Sequence, residues 1–351
     1  MYRTIRSPLK LLFYLAILFV IFMLYAIVVR FEVEYISAND ERLHGHHLPN
    51  DDEVRFAKSE TSNGISTQIP KYNISTFPTN ETLLEITHFR KHVQLNKANV
   101  NQFVFVTAAN VVYFPVVTKA IATVQKYFSG TKIIFYDLNQ KETENQIKTL
   151  CDVEYRIFPF SKYPGYVTNL HAYAWKPLII MEVLQEYPGL MWFDSSVRFL
   201  SNDTRHIFAK VISTDGVLLF NYAGHNTFSV THPNMFKYLS SDMQKLQEIL
   251  QYEANIMMFY RTKSIADDIL KWWFMCALVE DCFAPTKSYS CKHGFQNSPT
   301  KYAGCHRFDQ SAINILLANK FNYNYTIYAK HFDNFEQIHR YSTDGESPRS
   351  C

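Results

Sequence analysis

The sequence predicts an α/β fold, a mostly parallel sheet flanked by helices and preceded by a transmembrane helix and a stem. Three observations predict it. An uncharged apolar stretch stands near the N-terminus, at 11–29. A polar, irregular tract follows, at 30–98. From 99 onward, short β-branched and aromatic runs alternate with amphipathic stretches of helical length, the pattern of a parallel sheet covered on both faces.

Leu11 to Val29 contains no charged residue, Gly or Pro, and as a helix its roughly 19 residues rise about 28 Å, enough to cross a bilayer. Arg3, Arg6 and Lys10 precede it, and Glu32 and Glu34 follow. The positive flank predicts a cytoplasmic tail at 1–10 and a luminal remainder, the single-pass type II arrangement. A cleaved signal peptide is the competing reading; its apolar core would run about 7 to 15 residues and end in small side chains, whereas this one ends Ile27, Val28, Val29, Arg30. The near-minimal, Phe-rich length leans toward Golgi or early secretory membranes.

Sequons at Asn73, Asn80, Asn202 and Asn324 all lie beyond the anchor, where N-glycosylation requires them. The six cysteines, Cys151, Cys276, Cys282, Cys291, Cys305 and Cys351, are luminal in this topology. Disulfides are favoured over zinc, because no C-x2-C pair occurs and His306 is the only adjacent imidazole; their connectivity is left open. The net charge of +3 is spread along the chain, which gives no electrostatic footprint for nucleic acid.

The stem tract is rich in Ser, Thr and Asn, with Pro70 and Pro78, and reads as a spacer holding a domain off the membrane. Its His44, His46 and His47 read as a solvated patch rather than metal ligands. The domain is expected at 99–340, with a tail at 341–351.

Within it, Gln102–Thr107 predicts a strand and Phe114–Phe128 a helix closed by Gly130. Lys132–Tyr136 predicts the second strand, Asn139–Leu150 a helix and Tyr155–Phe160 the third strand. Ala172–Tyr187 predicts a helix with Pro177 in its first turn, ended by Pro188-Gly189 before the strand Leu190–Phe193. Trp272, Trp273 and Phe274 fall at helical spacing within Ile265–Leu278, which favours core packing over a sugar-stacking platform. Tyr163–Tyr166, around Pro164-Gly165, reads as a flexible loop able to cover a ligand, or as an ordinary turn.

Open α/β sheets bind ligands at the carboxyl ends of their strands, so Thr107–Asn110, Asp137 and Asp194-Ser195-Ser196 are the places to inspect. The most informative string is Leu190-Met-Trp-Phe-Asp194-Ser-Ser-Val-Arg198-Phe, where a wholly apolar strand runs into a carboxylate. A charge buried at a strand end needs a ligand, a metal or a cation as partner. Asp137 reads either as a base- or ribose-binding acid or as a plain turn residue.

At this point the chain resembles nucleotide-sugar glycosyltransferases of the GT-A type, whose Rossmann-like sheet has a central strand ending in Asp-x-Asp. The resemblance covers roughly 101–330 and includes Glu253-Ala-Asn-Ile-Met-Met-Phe and Asp309-Gln310-Ser-Ala-Ile-Asn314. The strings Ala174-Trp175-Lys176-Pro177, WFDSSVRF and CHRFDQSAINILL look like a largely uncharacterised nematode family of type II membrane, glycosyltransferase-like proteins. The resemblance implies transfer of a sugar from a nucleotide sugar to a luminal glycan or glycoprotein acceptor, with Mn2+ or Mg2+ as cofactor. It implies that Asp194 binds donor ribose and any metal. Ser196 stands where the second Asp of the motif is expected; a hydroxyl is a weak ligand for these cations. Metal held by Asp194 with a late His such as His331 or His339 is one way around this. Another is neutralisation of the diphosphate by Lys176 and Arg198, with no metal. A third reading keeps the fold without catalysis, as a luminal glycan-binding or scaffold protein.

For the acceptor, Glu253 and Asp309 are the two candidate catalytic bases. Asp309 has an alternative as cap of the helix Gln310–Ala318. Glu253, placed before the apolar run Ile256–Phe259, sits at a strand entrance.

Overall fold

The computed structural model describes residues 85–138, 141, 143–288, 290–291 and 299–351, together with Tyr72, Asn73, Ser75 and Phe77. The expected cytoplasmic tail, the anchor at 11–29 and most of the stem lie outside the described residues. Among the described residues no helix is long and apolar enough to cross a membrane.

The core is a six-stranded sheet in the order β3-β2-β1-β4-β9-β6. β1 (Val104–Ala109), β2 (Ile133–Asp137), β3 (Val153–Ile157) and β4 (Gly189–Phe193) are parallel. β9 (Ile256–Tyr260) runs antiparallel between β4 and β6 (Val217–Leu219). The fold is therefore mixed α/β with a mostly parallel central sheet. Alternation along each strand feeds two separate cores. Val104, Val106, Leu190, Trp192, Met257 and Phe259 face one core, and Phe105, Met191, Phe193, Ile256 and Met258 face the other. With both faces apolar, the strands read in sequence as unbroken hydrophobic runs.

Helix α1 (Phe114–Tyr127, with Pro115 in its first turn) lays Val117, Ala120, Ile121 and Val124 on the second core. Helix α2 (Trp175–Glu186) lays Leu178, Ile179 and Val183 on the first. These elements match expectation to within about three residues, and Pro177 sits in the first turn of α2. The expected helix Asn139–Leu150 shrinks to Glu144–Ile147 among the described residues. The Asp137 carboxylate accepts from both the N–H and the hydroxyl of Thr143 (3.3 and 2.7 Å), a local bond that competes with an earlier helix start.

Gly189 opens β4 because a Cβ there would collide with the ring of Tyr260 on β9. Helix α3 (Arg205–Ser213) buries Ile207 and Val211 in the second core. The segment around Trp273 forms a π-turn at Ala266–Leu270 running into α4 (Lys271–Ala277), with Trp273 and Phe274 buried as core, as expected. Helix α5 (Phe308–Lys320) is buried along most of its length. Two small antiparallel ribbons complete the fold, β5 (Val197–Phe199) with β10 (Glu336–Ile338), and β7 (Tyr222–Asn226) with β8 (Leu250–Tyr252).

Two boundaries differ from expectation. Phe77 and Phe89, inside the span read as stem, are buried in the first core, and the Tyr72 hydroxyl accepts from Asn319 at 2.7 Å. The packed unit therefore reaches back at least to Tyr72. At the other end, 341–351 is bound to the domain: Arg349 and Cys351 pair with Cys151 and Thr149, and Cys151–Cys351 form a disulfide. The remaining bridges are Cys276–Cys282 and Cys291–Cys305, so all six cysteines are paired.

Candidate functional site

Two adjoining cavities, of about 450 and 590 Å3, open at the carboxyl end of the sheet. The first lies between the ends of β1 (Ala108–Asn110), β2 (Leu138) and β4 (Asp194–Ser196). That is the switch point of the sheet, since β1 connects to β2 on one side while β4 lies on the other. The second is bounded by the turn between β8 and β9 (Glu253–Asn255) and the start of α5 (Phe308–Gln310). Asp194 lines both, together with Tyr113, His171, Tyr173, Arg340 and Tyr341.

An ion triad, two of its three side chains buried, underlies this junction. The Lys176 ammonium lies 3.1 Å from Asp194 Oδ1 and 2.7 Å from Asp309 Oδ2, and donates to the Ala254 carbonyl at 2.9 Å. The rings of Tyr173 and Trp192 stand 5.6 and 5.5 Å from it. Burial alone would push the lysine down, but Asp194 and Asp309 outweigh it and hold its pKa above the ordinary lysine value. The Trp192 indole N–H also donates to Asp194 Oδ1 at 2.7 Å, fixing the carboxylate at the strand end.

Lys176, expected at a diphosphate, lines the second cavity and not the first. Its side chain is 2% exposed and three oxygens already surround its three N–H donors, so it neutralises the site's own acids instead of meeting a diphosphate. Arg198 is likewise engaged within the protein. It is buried on β5 with its guanidinium spent on four backbone carbonyls, those of Ser195, Val197, Val116 and Ser342 (2.8 to 3.2 Å). Burial lowers its pKa. Asp137, also fully buried, holds Thr143 and accepts from the Tyr155 hydroxyl at 3.0 Å; it lines neither cavity.

Asp309 is buried in the first turn of α5, while Arg307 occupies the N-cap position. Burial raises its pKa, against the opposing pull of Lys176. The rest of its motif builds the neighbouring turn. Gln310 donates to Gln251 (2.7 Å), and Asn314 pairs with both the N–H and the carbonyl of Tyr252 (2.9 and 2.7 Å). Glu253 is thereby presented to the second cavity, where it accepts from Asn255 and forms an ion pair with Arg340 at 3.1 Å. Burial raises its pKa, Arg340 opposes this, and the charge of Asp194 adds to the rise.

Ser195 and Ser196 line the first cavity. The residues present do not fit the expected divalent cation. Asp194 Oδ1 already meets an indole N–H and an ammonium, a hydroxyl stands at 196, and among the described residues no three His, Cys, Asp or Glu side chains converge on a metal position. His331 lines neither cavity; it lies 3.3 Å from Asn221 and 3.5 Å from Asp333. His339 contributes its backbone N–H, bonded to the Ser196 carbonyl at 2.8 Å.

Tyr163 is buried and stacked on Phe158, and the Tyr166 hydroxyl donates to the Ala277 carbonyl, so that loop is pinned to the core; Thr168–Leu170 line the first cavity instead. Asn73, Asn202 and Asn324 are exposed; Asn80 lies outside the described residues. Several site residues gave no usable sequence signal. Tyr173 and Phe308 take left-handed backbone conformations (φ 54° and 42°) beside the triad, costly for aromatic residues and of the kind that cluster at functional sites. Arg340 and Tyr341 fell on an assumed domain boundary.

A family model described as "Protein of unknown function (DUF1647)" matches residues 56–181, well under half of the chain. Comparison with curated proteins gives no match. Similar solved structures are glycosyltransferases. The galactosyltransferase LgtC, in complex with donor and acceptor sugar analogs, is 12% identical over 61% of this chain and 70% of its own, with a TM-score of 0.35. The apo-form glycosyltransferase GlyE of Streptococcus pneumoniae is 11% identical over 66% of this chain, which spans 46% of GlyE, with a TM-score of 0.33. The mannosyltransferase Ktr4p from S. cerevisiae, in complex with GDP, is 12% identical over 79% of this chain and 85% of its own, with a TM-score of 0.42. The fold assigned above rests on the chain's own strand order.

Proposed function

We propose that the chain is a glycosyltransferase that moves a sugar from a nucleotide-sugar donor to a glycan or glycoprotein acceptor. The observation that carries this is the pair of cavities meeting at Asp194, one at the switch point of the sheet and the other faced by Glu253. A two-substrate transfer needs two adjoining sites with the reacting bond at their junction. In this reading the first cavity takes the nucleotide and the second the acceptor. The acceptor hydroxyl attacks the anomeric carbon, its bond to the phosphate oxygen breaks, and the nucleoside diphosphate leaves. Glu253 takes the hydroxyl proton, since Asp309 is buried and committed to Lys176. Asp194 orients donor ribose beside Ser195 and Ser196.

Three paired disulfides, the anchor expected at 11–29 and the exposed sequons support a luminal catalytic domain in the Golgi or early secretory pathway, on a single-pass type II chain. The test is calorimetric titration of the full chain with a panel of nucleotide sugars, with and without Mn2+, followed by assay of donor hydrolysis. Binding of at least one donor, abolished by Asp194→Ala with an unchanged far-UV spectrum, is expected. No binding to any donor would sink the proposal.

A further inference from the structure

The charged side chains lining the first cavity, among the described residues, are Asp194 and Arg340. Lys176 and Arg198, the cations that the sequence singled out, are spent inside the protein. Any phosphate entering this cavity therefore meets Arg340 as its permanent cation. The same guanidinium lines the second cavity, where it is paired with Glu253 at 3.1 Å. Arg340 thus stands between a pocket suited to an anion and the carboxylate of the neighbouring pocket, whereas Arg307 and Lys176 line the second cavity alone.

The backbone around it is held on both sides while the side chain projects into the open. Residues 336–338 pair with β5, the His339 N–H is held by the Ser196 carbonyl, and the Ser342 carbonyl accepts from buried Arg198 at 3.0 Å. Beyond this the strap runs along α1, with Lys119 donating to the Gly345 carbonyl at 3.1 Å, and ends at the Cys151–Cys351 disulfide. The Arg340 side chain itself is 67% exposed. The exposed guanidinium is free to swing, the 19% exposed Glu253 keeps its hydrogen bond from Asn255 when the guanidinium leaves, and a diphosphate offers a stronger, forked partner for a guanidinium.

We propose that Arg340 couples the two cavities, the diphosphate of the donor in the first drawing the guanidinium off Glu253 and so unmasking the carboxylate that faces the acceptor. This rests on the glycosyltransferase reading above and adds to it a residue, Arg340, through which occupancy of one cavity is felt in the other. Because Glu253 and diphosphate compete for one cation, linkage requires that removing Glu253 tighten diphosphate binding, and only while Arg340 is present.

A double-mutant cycle tests this. The full chain, as wild type, Arg340→Ala, Glu253→Gln and the double variant, is titrated with UDP, GDP and inorganic pyrophosphate, with thermal melts confirming that each is folded. Arg340→Ala weakens binding by about tenfold or more. Glu253→Gln tightens it by roughly threefold or more, and this gain vanishes in the Arg340→Ala background. Wild-type affinity in Arg340→Ala overturns the proposal. So does a gain from Glu253→Gln that persists without Arg340, since that would report only the removal of a negative charge. A wild-type chain that binds none of the three probes overturns the underlying reading instead, and is told apart because no variant then has affinity to lose.

Discussion

The Lys176 ammonium lies 2.7 Å from Asp309 Oδ2 beneath the junction of the two cavities, and the same ammonium is 3.1 Å from Asp194. Breaking a buried pair by removing one partner leaves an uncompensated charge, at a cost of about 3 to 5 kcal/mol. Lys176→Met should therefore lower chemical-denaturation stability by an amount in that range. Asp309→Asn placed on top should restore part of it, because one stranded carboxylate is gone. Equal stability of Lys176→Met and wild type would mean that the triad is not held as described.

Burial lifts the Glu253 carboxyl above its ordinary value, against the pull of Arg340. A general base acts only when deprotonated, so turnover should fall as pH drops through this raised pKa, giving an acid limb above the ordinary glutamate range. Glu253→Gln should remove that limb and reduce turnover by about 10²- to 10⁴-fold. Steady-state rates from pH 4 to 8 decide it; a variant that retains the wild-type profile excludes Glu253 as the base.

His306 is fully buried beside the second cavity, with Nε2 3.1 Å from the Phe283 carbonyl and Nδ1 accepting the His232 backbone N–H at 3.1 Å. Burial holds its pKa down at about 3, and that of His225 at about 4, from 6.5. The folded values are depressed, so the unfolded chain takes up protons first. Stability is full above about pH 6.5 and is lost as pH falls toward 3, with a slope approaching about 1.4 kcal/mol per pH unit for each such histidine. Urea midpoints measured between pH 7 and 4 should show this fall, and His306→Asn should flatten it.

Gly189 sits where any Cβ would strike the ring of Tyr260. Gly189→Ala forces β4 and β9 apart at their first pair, and overpacking of this kind costs about 1 to 3 kcal/mol. A melting temperature several degrees lower is expected, and in the Tyr260→Leu background, where the ring is gone, the further loss from Gly189→Ala should largely vanish.

The sheet was legible because its strands are apolar on both faces and bounded by turn residues, so β1, β2, β4 and β9 stand out as runs. Asp194 was legible for the same reason, as a carboxylate closing such a run. What sequence conveyed poorly was burial of charge. Lys176 and Arg198 have the chemistry of phosphate ligands, and only packing reveals that one neutralises two acids and the other ties up carbonyls. A signal for Lys176 was present: it is flanked by Trp175, Pro177, Leu178 and Ile179, no setting for a solvated lysine. β10 and the strap were illegible, because Glu336-Gln-Ile338 has no pattern of its own and takes its structure from pairing with β5. Phe77 and Phe89 were hidden by the polar tract around them.

The Cys151–Cys351 bond joins residues separated by 200 positions and ties the far end of the strap to the approach to β3. The parallel strands β1 to β4 all precede residue 340 in the chain, and β6 and β9, from later in the sequence, complete the same sheet. A bond of that span removes freedom from the unfolded chain, by about 5 kcal/mol in the chain-entropy account, and so tethers the strap that lays Arg340 and Tyr341 along both cavities.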